Sequence, residues 1–260
     1  MIHLEVAALE EAEIPLDRLL EGRASLLLCY PRFTREEAER RLEELRGLGV
    51  DAIILEGRHE VEGLKVLGKG HVSIAVEARV DDEVYALKIR RTDADRESFM
   101  DEAEKLRMAN EVGVGPRLVR HTDNFLLMEL IQGEYLPEWI EALSPGDAEL
   151  LRGVLKGLLE KARKLDEIGL DHGELSRAHR HIIVSGGEPR LIDFESASTE
   201  RRVSNITSLT QYLFINRRMR RLISRIIEPP EIQPLIEALK QYKREPSDEN
   251  YRRILEVCGL

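Results

Sequence analysis

The chain has 260 residues, 34% of them charged, and a formal net charge of −10, which suits one large globular domain or two modest ones. No apolar run reaches the roughly 18 residues of a membrane-spanning helix, and two cysteines, Cys29 and Cys258, argue against a disulfide framework or a zinc cluster. The N-terminal stretch "MIHLEVAALEEAEIPL" carries acids where a signal peptide carries bases, so we expect a cytoplasmic protein.

Residues 1–58 are predicted to form a small N-terminal α/β extension. The apolar run "ASLLLCY" indicates a buried strand, and "DAIIL" indicates a second one. Between them, Thr34 and Glu37 have the spacing of a capping box and mark the start of a helix. The pattern assigns no chemistry to this segment, and a packing extension is the favoured interpretation.

Residues 59–133 are predicted to form five strands and one helix. The stretch "EGLKVLGKGHVSIAVEARVDDEVYALKIRR" predicts a three-stranded meander, and a helix is expected at about 94–112. Two more strands follow in "RLVRHTDNFLLMELI", and residues 134–260 are expected to be helical apart from one hairpin. We therefore predict an α+β protein with two lobes and a cleft between them, a common setting for a ligand site.

A glycine-containing turn is the first candidate for phosphate binding. Gly68, Gly70 and Ser73 have the spacing G-x-G-x-x-S, and glycines allow backbone N–H groups to approach phosphates. A strand, not a helix, follows the glycines, which disfavours a Rossmann site. Lys88 lies one strand later and is either a solvated strand lysine or a ligand of α- and β-phosphates.

The helix after this strand offers an acid that could position Lys88. With about 100° per residue, Glu102 lies within roughly 45° of the centre of the apolar stripe, whereas Glu97 and Glu104 point nearly the opposite way. Glu102 is therefore the predicted partner of Lys88. Farther along, backbone groups of Glu129 and Leu130 are expected to contact adenine in the connector between the lobes.

A second hairpin is flanked by carboxylates. "HIIV", "SGGEP" and "RLID" read as strand, turn and strand, with Glu174 before the hairpin and Asp193 at its end. Phosphoryl transfer uses acids in such places, one to orient a hydroxyl and one to hold Mg²⁺.

In this order and spacing the residues resemble the protein-kinase-like fold, and most closely its RIO-like branch, over about residues 61–200. More narrowly, "HGELSRAHRHIIV" with "IDFESAS" is similar to an archaeal group of predicted Ser/Thr kinases that includes an RNA kinase acting on a tRNA ribose 2′-hydroxyl. The resemblance implies ATP and Mg²⁺ as cofactors. The motif residues that carry the resemblance are Gly68, Gly70, Lys88, Glu102, Met128, Glu129, His172, Gly173, Glu174, Leu175, Ser176, Asp193 and Phe194.

The composition is also that of a thermophilic protein, because only nine Asn and Gln residues occur.

Three departures from the kinase pattern bear on mechanism. Glu174 stands where kinases place Asp, which keeps the carboxylate on an arm one methylene longer. The metal-binding Asn is replaced by His179 if residues are counted from Glu174, or by His181 if adjacency to the strand decides. Glu195 replaces the last residue of D-F-G, and the short segment after it leaves no room for a long activation loop.

A basic segment is the candidate for nucleic-acid binding. Residues 201–227 contain seven arginines and no acid, and helical spacing places four of them within a sector of about 100°. They could contact RNA phosphates, or the helix could be an ordinary solvated one whose arginines pair with acids of the first 200 residues. The four are Arg217, Arg218, Arg221 and Arg225, and a track toward the active loop could include Arg177, Arg180, Arg201 and Arg202.

We therefore expect an ATP-dependent kinase that moves the γ-phosphate to a hydroxyl, with Glu174, Lys88 and Asp193 as catalytic residues. An RNA kinase acting on a tRNA ribose 2′-hydroxyl is favoured, and an atypical Ser/Thr protein kinase is the alternative within this class. A nucleotide-switched pseudokinase or assembly ATPase is the alternative outside it. The negative net charge counts against RNA, because non-specific RNA affinity comes from phosphate neutralisation.

Overall fold

The computed structural model describes residues 12–260, so the first part of the acidic N-terminal stretch lies outside the described residues. The described chain is α+β, as predicted from the sequence. It divides into two compact units. The first contains the described residues up to Ala103 together with Leu118–Leu130, and the second contains Glu104–Arg117 together with Ile131–Leu260. The predicted segment limits, 1–58, 59–133 and 134–260, stay a prediction.

The first unit holds nine strands and two helices, and a third helix runs from it into the second unit. The strands are β1 (Glu13–Pro15), β2 (Ala52–Ile54), β3 (His59–Val61), β4 (Leu64–Val66), β5 (Gly68–Lys69), β6 (Ser73–Val80), β7 (Glu83–Arg90), β8 (Leu118–His121) and β9 (Phe125–Glu129). The helices are α1 (Ser25–Leu28), α2 (Arg35–Gly47) and the shared α3 (Met100–Glu111).

The second unit holds three short strands and six further helices. The strands are β10 (Glu134–Tyr135), β11 (Ile182–Ser185) and β12 (Glu188–Leu191). The helices are α4 (Leu136–Ala142), α5 (Ala148–Glu167), α6 (Asn205–Phe214), α7 (Arg217–Ile223), α8 (Ile232–Arg244) and α9 (Asp248–Cys258).

The main sheet of the first unit has the antiparallel strand order β1-β2-β6-β7-β9-β8, with β5 also paired to β6. The short strand β5 and the long strands β6 and β7 pair one after the other, as in the predicted three-stranded meander. Strand β2 pairs with β6 through Ala52 opposite Arg79, and β1 pairs with β2. The N-terminal segment thus supplies two strands to the same sheet that carries Lys88.

One predicted strand is wrong. Within residues 24–30, Ser25–Leu28 form the single helical turn α1, and Ala24, Leu27 and Cys29 are fully or almost fully buried. A short, continuously apolar run fits a buried helical turn as well as a buried strand, and periodicity does not separate the two. The expected strand–helix–strand unit is therefore absent, and β2 takes β1 as its neighbour instead.

The helix predicted after Thr34 is confirmed as α2, but the capping box is not formed. Thr34 occupies the N-cap position in an extended conformation, and its side chain makes no capping hydrogen bond. Glu37 turns instead to Arg40 and Arg41, with contacts of 2.7 and 2.6 Å. Arg41 is fully buried and donates to the carbonyl of Leu28, so this arginine ties α2 to α1.

In the second unit a three-stranded sheet packs beside the long helix α5. Strand β11 pairs with β12 from Ile182 opposite Leu191 to Ser185 opposite Glu188, and β10 pairs with β11 on the other side. Helix α5 buries a continuous stripe at three- and four-residue spacing. This stripe comprises Leu151, Val154, Leu155, Leu158, Leu159, Ala162 and Leu165. The predicted hairpin is thus present.

Over residues 12–260, no helix combines the length and apolarity needed to cross a bilayer. Cys29 and Cys258 are both buried and carry free thiols. Burial raises the pKa of Cys258 to about 12, so this thiol stays protonated.

Candidate functional site

The first unit contains a buried ion pair between Lys88 of β7 and Glu102 in the first turn of α3. The Lys88 Nζ lies 2.5 Å from Glu102 Oε1, and the two side chains are only 8% and 3% exposed. Glu97 and Glu104 are exposed, so the partner expected from the helix phase is confirmed. The solvated-lysine alternative is wrong. A buried charge pair costs desolvation energy, and such a pair is weak evidence for stability alone.

The glycine turn lies between β5 and β6. The Gly70 N–H donates to the Ser73 carbonyl at 2.8 Å, and Ser73 is buried at the start of β6. Neither Gly68 nor Gly70 has a positive φ, and a Cβ built on them meets its nearest atom at 4.0 and 3.5 Å. The local backbone therefore does not require glycine here. The predicted role of the turn in phosphate binding stays a prediction.

The N-terminal segment braces this turn, a contact that sequence reasoning missed. The Lys69 Nζ donates to the Tyr30 hydroxyl at 2.6 Å, and the Arg91 guanidinium lies 5.1 Å from the Tyr30 ring centre. Arg91 also donates to the Gly70 carbonyl at 2.9 Å and pairs with Asp93. No spacing rule links Tyr30 to Lys69, which is 39 positions away. The segment of unassigned role thus contacts the candidate phosphate turn directly.

The predicted adenine connector follows β9. Glu129 is the last residue of that strand and pairs with Tyr85 of β7, and Leu130 comes directly after it. Both residues are partly exposed. Their contact with adenine stays a prediction.

In the second unit the hairpin β11–β12 brings two polar side chains together. Asp193 follows β12 with a φ of 68°, a left-handed backbone that is uncommon for a residue other than glycine. The His181 Nε2 lies 3.6 Å from Asp193 Oδ2. His179 is exposed, and its Nδ1 lies 2.9 Å from the Arg177 carbonyl. Of the two histidines left open by the sequence, His181 is the one beside Asp193.

His172 supports this region from the interior. It is completely buried, its Nε2 lies 3.1 Å from the Ile192 carbonyl, and its ring centre lies 4.9 Å from that of Phe194. Burial, together with the smaller effect of the neighbouring His181, lowers the pKa of His172 to about 4. The imidazole is therefore neutral near pH 7 and suits hydrogen bonding better than proton transfer.

Glu174 lies in a loop closed by Arg201. The Ser196 hydroxyl donates to Glu174 Oε1 at 3.1 Å, and Arg201 donates to the Ser196 carbonyl. The Arg201 Nε also donates to Asp171 Oδ2 at 2.5 Å. Gly173 has a φ of 91°, and a Cβ there would lie 2.6 Å from the Ser196 carbonyl oxygen. This position requires glycine because the chain passes so close.

The same loop is anchored by the first turn of α6. The Asp171 Oδ1 accepts from the Ser204 N–H at 2.9 Å, and the Asn205 Oδ1 accepts from the His172 N–H at 2.8 Å. Asn205 in turn donates to Asp166, and burial raises the pKa of the Asp166 carboxyl. Sequence reasoning missed all of these anchors. The one available signal was that Asp171 directly precedes the His172-Gly173-Glu174 motif.

The predicted arginine face, defined as Arg217, Arg218, Arg221 and Arg225, is exposed. Met219, Leu222 and Ile223 are buried on the other side of α7, so the predicted amphipathic arrangement is confirmed. Helix α7 ends at Ile223, which places Arg225 just beyond the helix. One ion pair reaches an acid of the first 200 residues, since Arg218 lies 3.4 Å from Glu141.

The proposed extension of this face is only partly available. Arg177 and Arg180 are exposed. Arg201 is engaged with Asp171, and Arg202 donates to the Lys243 carbonyl. Of the four arginines suggested for the track, two are therefore already used to hold the protein together.

The donors near Asp193 fit Mg²⁺ only in part. A carboxylate is an oxygen ligand that Mg²⁺ favours, whereas the imidazole of His181 is a poor one. Within residues 12–260, no three His, Cys, Asp or Glu side chains gather into a metal-binding group. An ion at Asp193 would thus need ligands other than a cluster of His, Cys, Asp and Glu side chains.

No family model matches this sequence. A protein of Methanocaldococcus jannaschii, described as the uncharacterized protein MJ1211, is 29% identical over 119 residues. The match covers 45% of this chain and 99% of that protein. The similarity is to an archaeal protein and carries no activity with it.

Proposed function

We propose that this protein is an ATP-dependent phosphotransferase of the protein-kinase-like type, and that it moves the γ-phosphate of ATP to a ribose 2′-hydroxyl of RNA, with tRNA as the favoured acceptor. The observation that carries the proposal is the buried Lys88–Glu102 pair. It joins a strand lysine and a helix acid in the order that the kinase resemblance requires. A cytoplasmic location belongs to the same proposal.

Lys88 and Glu102 have a clear role in this proposal. The ammonium of Lys88 binds α- and β-phosphate oxygens, and the carboxylate of Glu102 sets its direction. Burying two charges brings little net stability, so retaining the pair in the core supports a functional reason for it.

Glu174 orients the acceptor hydroxyl. Its Oε1 already accepts a hydrogen bond from the Ser196 hydroxyl, so an alcohol oxygen is able to approach this carboxylate. A general base must come within hydrogen-bonding reach of the proton that it takes. Asp193 binds a divalent ion, which when bound neutralises charge on the phosphates.

RNA as the acceptor is supported by the arginine face. Its four exposed guanidinium groups are suited to phosphate contacts. A protein acceptor is the alternative, and the net charge of −10 favours it over RNA. The short segment between Asp193 and α6 favours RNA, because a peptide-docking loop has little room there.

The test is incubation of the full chain with γ-labelled ATP and either total cellular RNA or total cellular protein. We expect the label to appear in RNA. It should remain there when 5′-terminal phosphates are removed from the RNA. Asp193→Ala is the inactive control and should keep the wild-type melting temperature. Label in protein alone would replace the RNA proposal by the protein-kinase alternative. Phosphate release with no labelled acceptor would favour the nucleotide switch, which the missing metal-binding Asn supports.

A further inference from the structure

We infer that His181 and Asp193 together form a binding site for a first-row transition-metal dication such as Mn²⁺, in preference to Mg²⁺. The inference rests on the proposed function and names the class of metal that its nucleotide site takes. The His181 Nε2 and the Asp193 Oδ2 lie 3.6 Å apart.

The hairpin holds these two donors in place. His181 comes directly before β11, and Asp193 follows β12 by two residues. The Ile192 N–H donates to the His181 carbonyl at 3.0 Å, which continues the ladder that pairs Ile182 with Leu191. The two side chains therefore leave neighbouring points of one hydrogen-bonded backbone, and these points stay close together as long as the hairpin is paired.

The spacing is that of two ligands of one ion, not of a hydrogen-bonded pair. A charge-assisted hydrogen bond between an imidazolium and a carboxylate would be about 2.7–2.9 Å long. Ligand bonds of about 2.0–2.2 Å allow two donors of one metal to lie up to about 4 Å apart. The His181 Nδ1 is buried in protein, so Nε2 is the nitrogen that can reach an ion.

The donor types decide the metal class. Mg²⁺ prefers oxygen ligands in near-ideal octahedral geometry, and imidazole is a poor ligand for it. Imidazole suits the later transition metals, and carboxylate suits Mn²⁺ as well as Mg²⁺. One nitrogen and one oxygen donor therefore shift the balance from Mg²⁺ toward transition dications. Because no third His, Cys, Asp or Glu side chain gathers there in the described chain, phosphate oxygens and water complete the coordination.

The chain offers a matched control for this inference. His179 lies two residues before His181, is exposed, and has its Nδ1 beside the Arg177 carbonyl. His179→Asn and His181→Asn are the same chemical change. His181→Asn changes the His181–Asp193 pair, and His179→Asn leaves that pair intact. His181→Gln serves as a second variant, and thermal unfolding checks that all three proteins are folded.

The experiment uses the metal-free full chain with a non-hydrolysable ATP analogue. MnCl2 is added, free Mn²⁺ is followed by electron paramagnetic resonance, and MgCl2 is used as the competitor. For His181→Asn we expect Mn²⁺ affinity to fall by about tenfold or more, the loss typical of a disturbed metal site, with Mg²⁺ affinity unchanged or higher. The nitrogen coupling of bound Mn²⁺ should disappear in this variant and persist in His179→Asn.

The outcomes separate this inference from the proposed function. An unchanged ratio of Mn²⁺ to Mg²⁺ affinity in a folded His181→Asn protein, or an equal fall in His179→Asn, overturns the metal inference. If the wild type still labels RNA in that case, the kinase proposal stands alone. The third outcome is that nitrogen coupling is lost in His181→Asn while the wild type labels neither RNA nor protein. This outcome supports the metal site and removes the kinase proposal.

Discussion

The Lys88–Glu102 pair and the Glu174 loop show two different ways of holding a candidate catalytic group. Lys88 and Glu102 sit on a regular strand and a regular helix, and their buried ion pair joins these two elements. Glu174 lies in a loop without regular structure, where bonds from Ser196 and Arg201 hold the chain. Residues on regular elements follow from periodicity, whereas loop residues depend on partners that come from elsewhere in the sequence.

The largest expected effect lies in the loop and tests whether Glu174 acts in transfer. Glu174→Gln should slow phosphotransfer by about 10²–10⁴-fold, the range for a lost general base, with ATP affinity almost unchanged. Glu174→Asp should keep part of the rate because the carboxylate remains. The control is Glu200→Gln, an exposed acid in the same segment. A Gln variant as fast as the parent would make Glu174 structural.

Substitutions in the buried Lys88–Glu102 pair should change both the free energy of unfolding and the binding of ATP. Lys88→Met leaves Glu102 charged and uncompensated, and should lower the free energy of unfolding by about 3–5 kcal/mol. Combining it with Glu102→Leu should restore most of this loss but no ATP binding. Removing the exposed Arg152–Glu149 pair through Arg152→Met should cost less than about 1 kcal/mol. Denaturant unfolding and ATP-analogue titration measure the two effects, and a double variant that still binds ATP contradicts the proposed role.

His172 makes the second unit sensitive to acid. Its pKa is about 4 when folded, against an unfolded value of about 6.5, so the unfolded chain takes up the proton first as pH falls. Its stabilising contribution is complete above about pH 6.5 and declines toward pH 4, by about 3 kcal/mol in total. Its charged or titratable neighbours are His181, Asp193 and Asp171.

Unfolding free energy against pH, compared between the parent and His172→Gln, isolates this contribution. The variant should show a flatter loss of stability between pH 6.5 and pH 4. The exposed His179→Gln is the control and should follow the parent. Parallel curves for the parent and His172→Gln would show that His172 is not buried as a neutral imidazole.

The arginine face is a third case, because it lies on and just after the regular helix α7 but its side chains face solvent. Four phosphate contacts imply a slope of about −3 to −4 for the logarithm of RNA affinity against the logarithm of salt concentration. Changing the four arginines to alanine should flatten that slope by a similar amount and leave ATP affinity unchanged. A charge-matched control removes the exposed residues Lys240, Arg244, Arg252 and Arg253 of α8 and α9. If the salt slope of RNA affinity flattens equally in both variants, RNA does not bind specifically to the arginine face.

The smallest effect is expected at Tyr30, where the first unit relies on a distant partner as the loop does. Tyr30→Phe removes the hydroxyl that accepts from Lys69 and should weaken ATP-analogue binding by about fivefold, roughly 1 kcal/mol. Tyr85→Phe is the control, since the Tyr85 hydroxyl donates to Glu83 on the same strand. If both variants bind the analogue like the parent, the brace has no influence on the nucleotide.

Much of the architecture could be predicted because the pattern of apolar and polar residues repeats every few positions in its helices and strands. The meander, the hairpin around residues 182–191, and the helices α2, α3 and α7 all follow from local periodicity. The side of α3 that carries Glu102 and the exposed side of α7 follow from the helical turn. The strand expected at residues 24–30 failed because an apolar run without a period fits either structure.

The amino-acid sequence by itself determined which residues alternate, which share a helix face and which chemistry they could serve, because those properties depend on neighbours a few positions away. Only the tertiary structure decided that Tyr30 meets Lys69, that Arg201 closes the loop beside Gly173, and that His181, not His179, faces Asp193. These contacts join residues 12 to 39 positions apart, and their geometry is set by packing of whole elements, which no short-range pattern encodes.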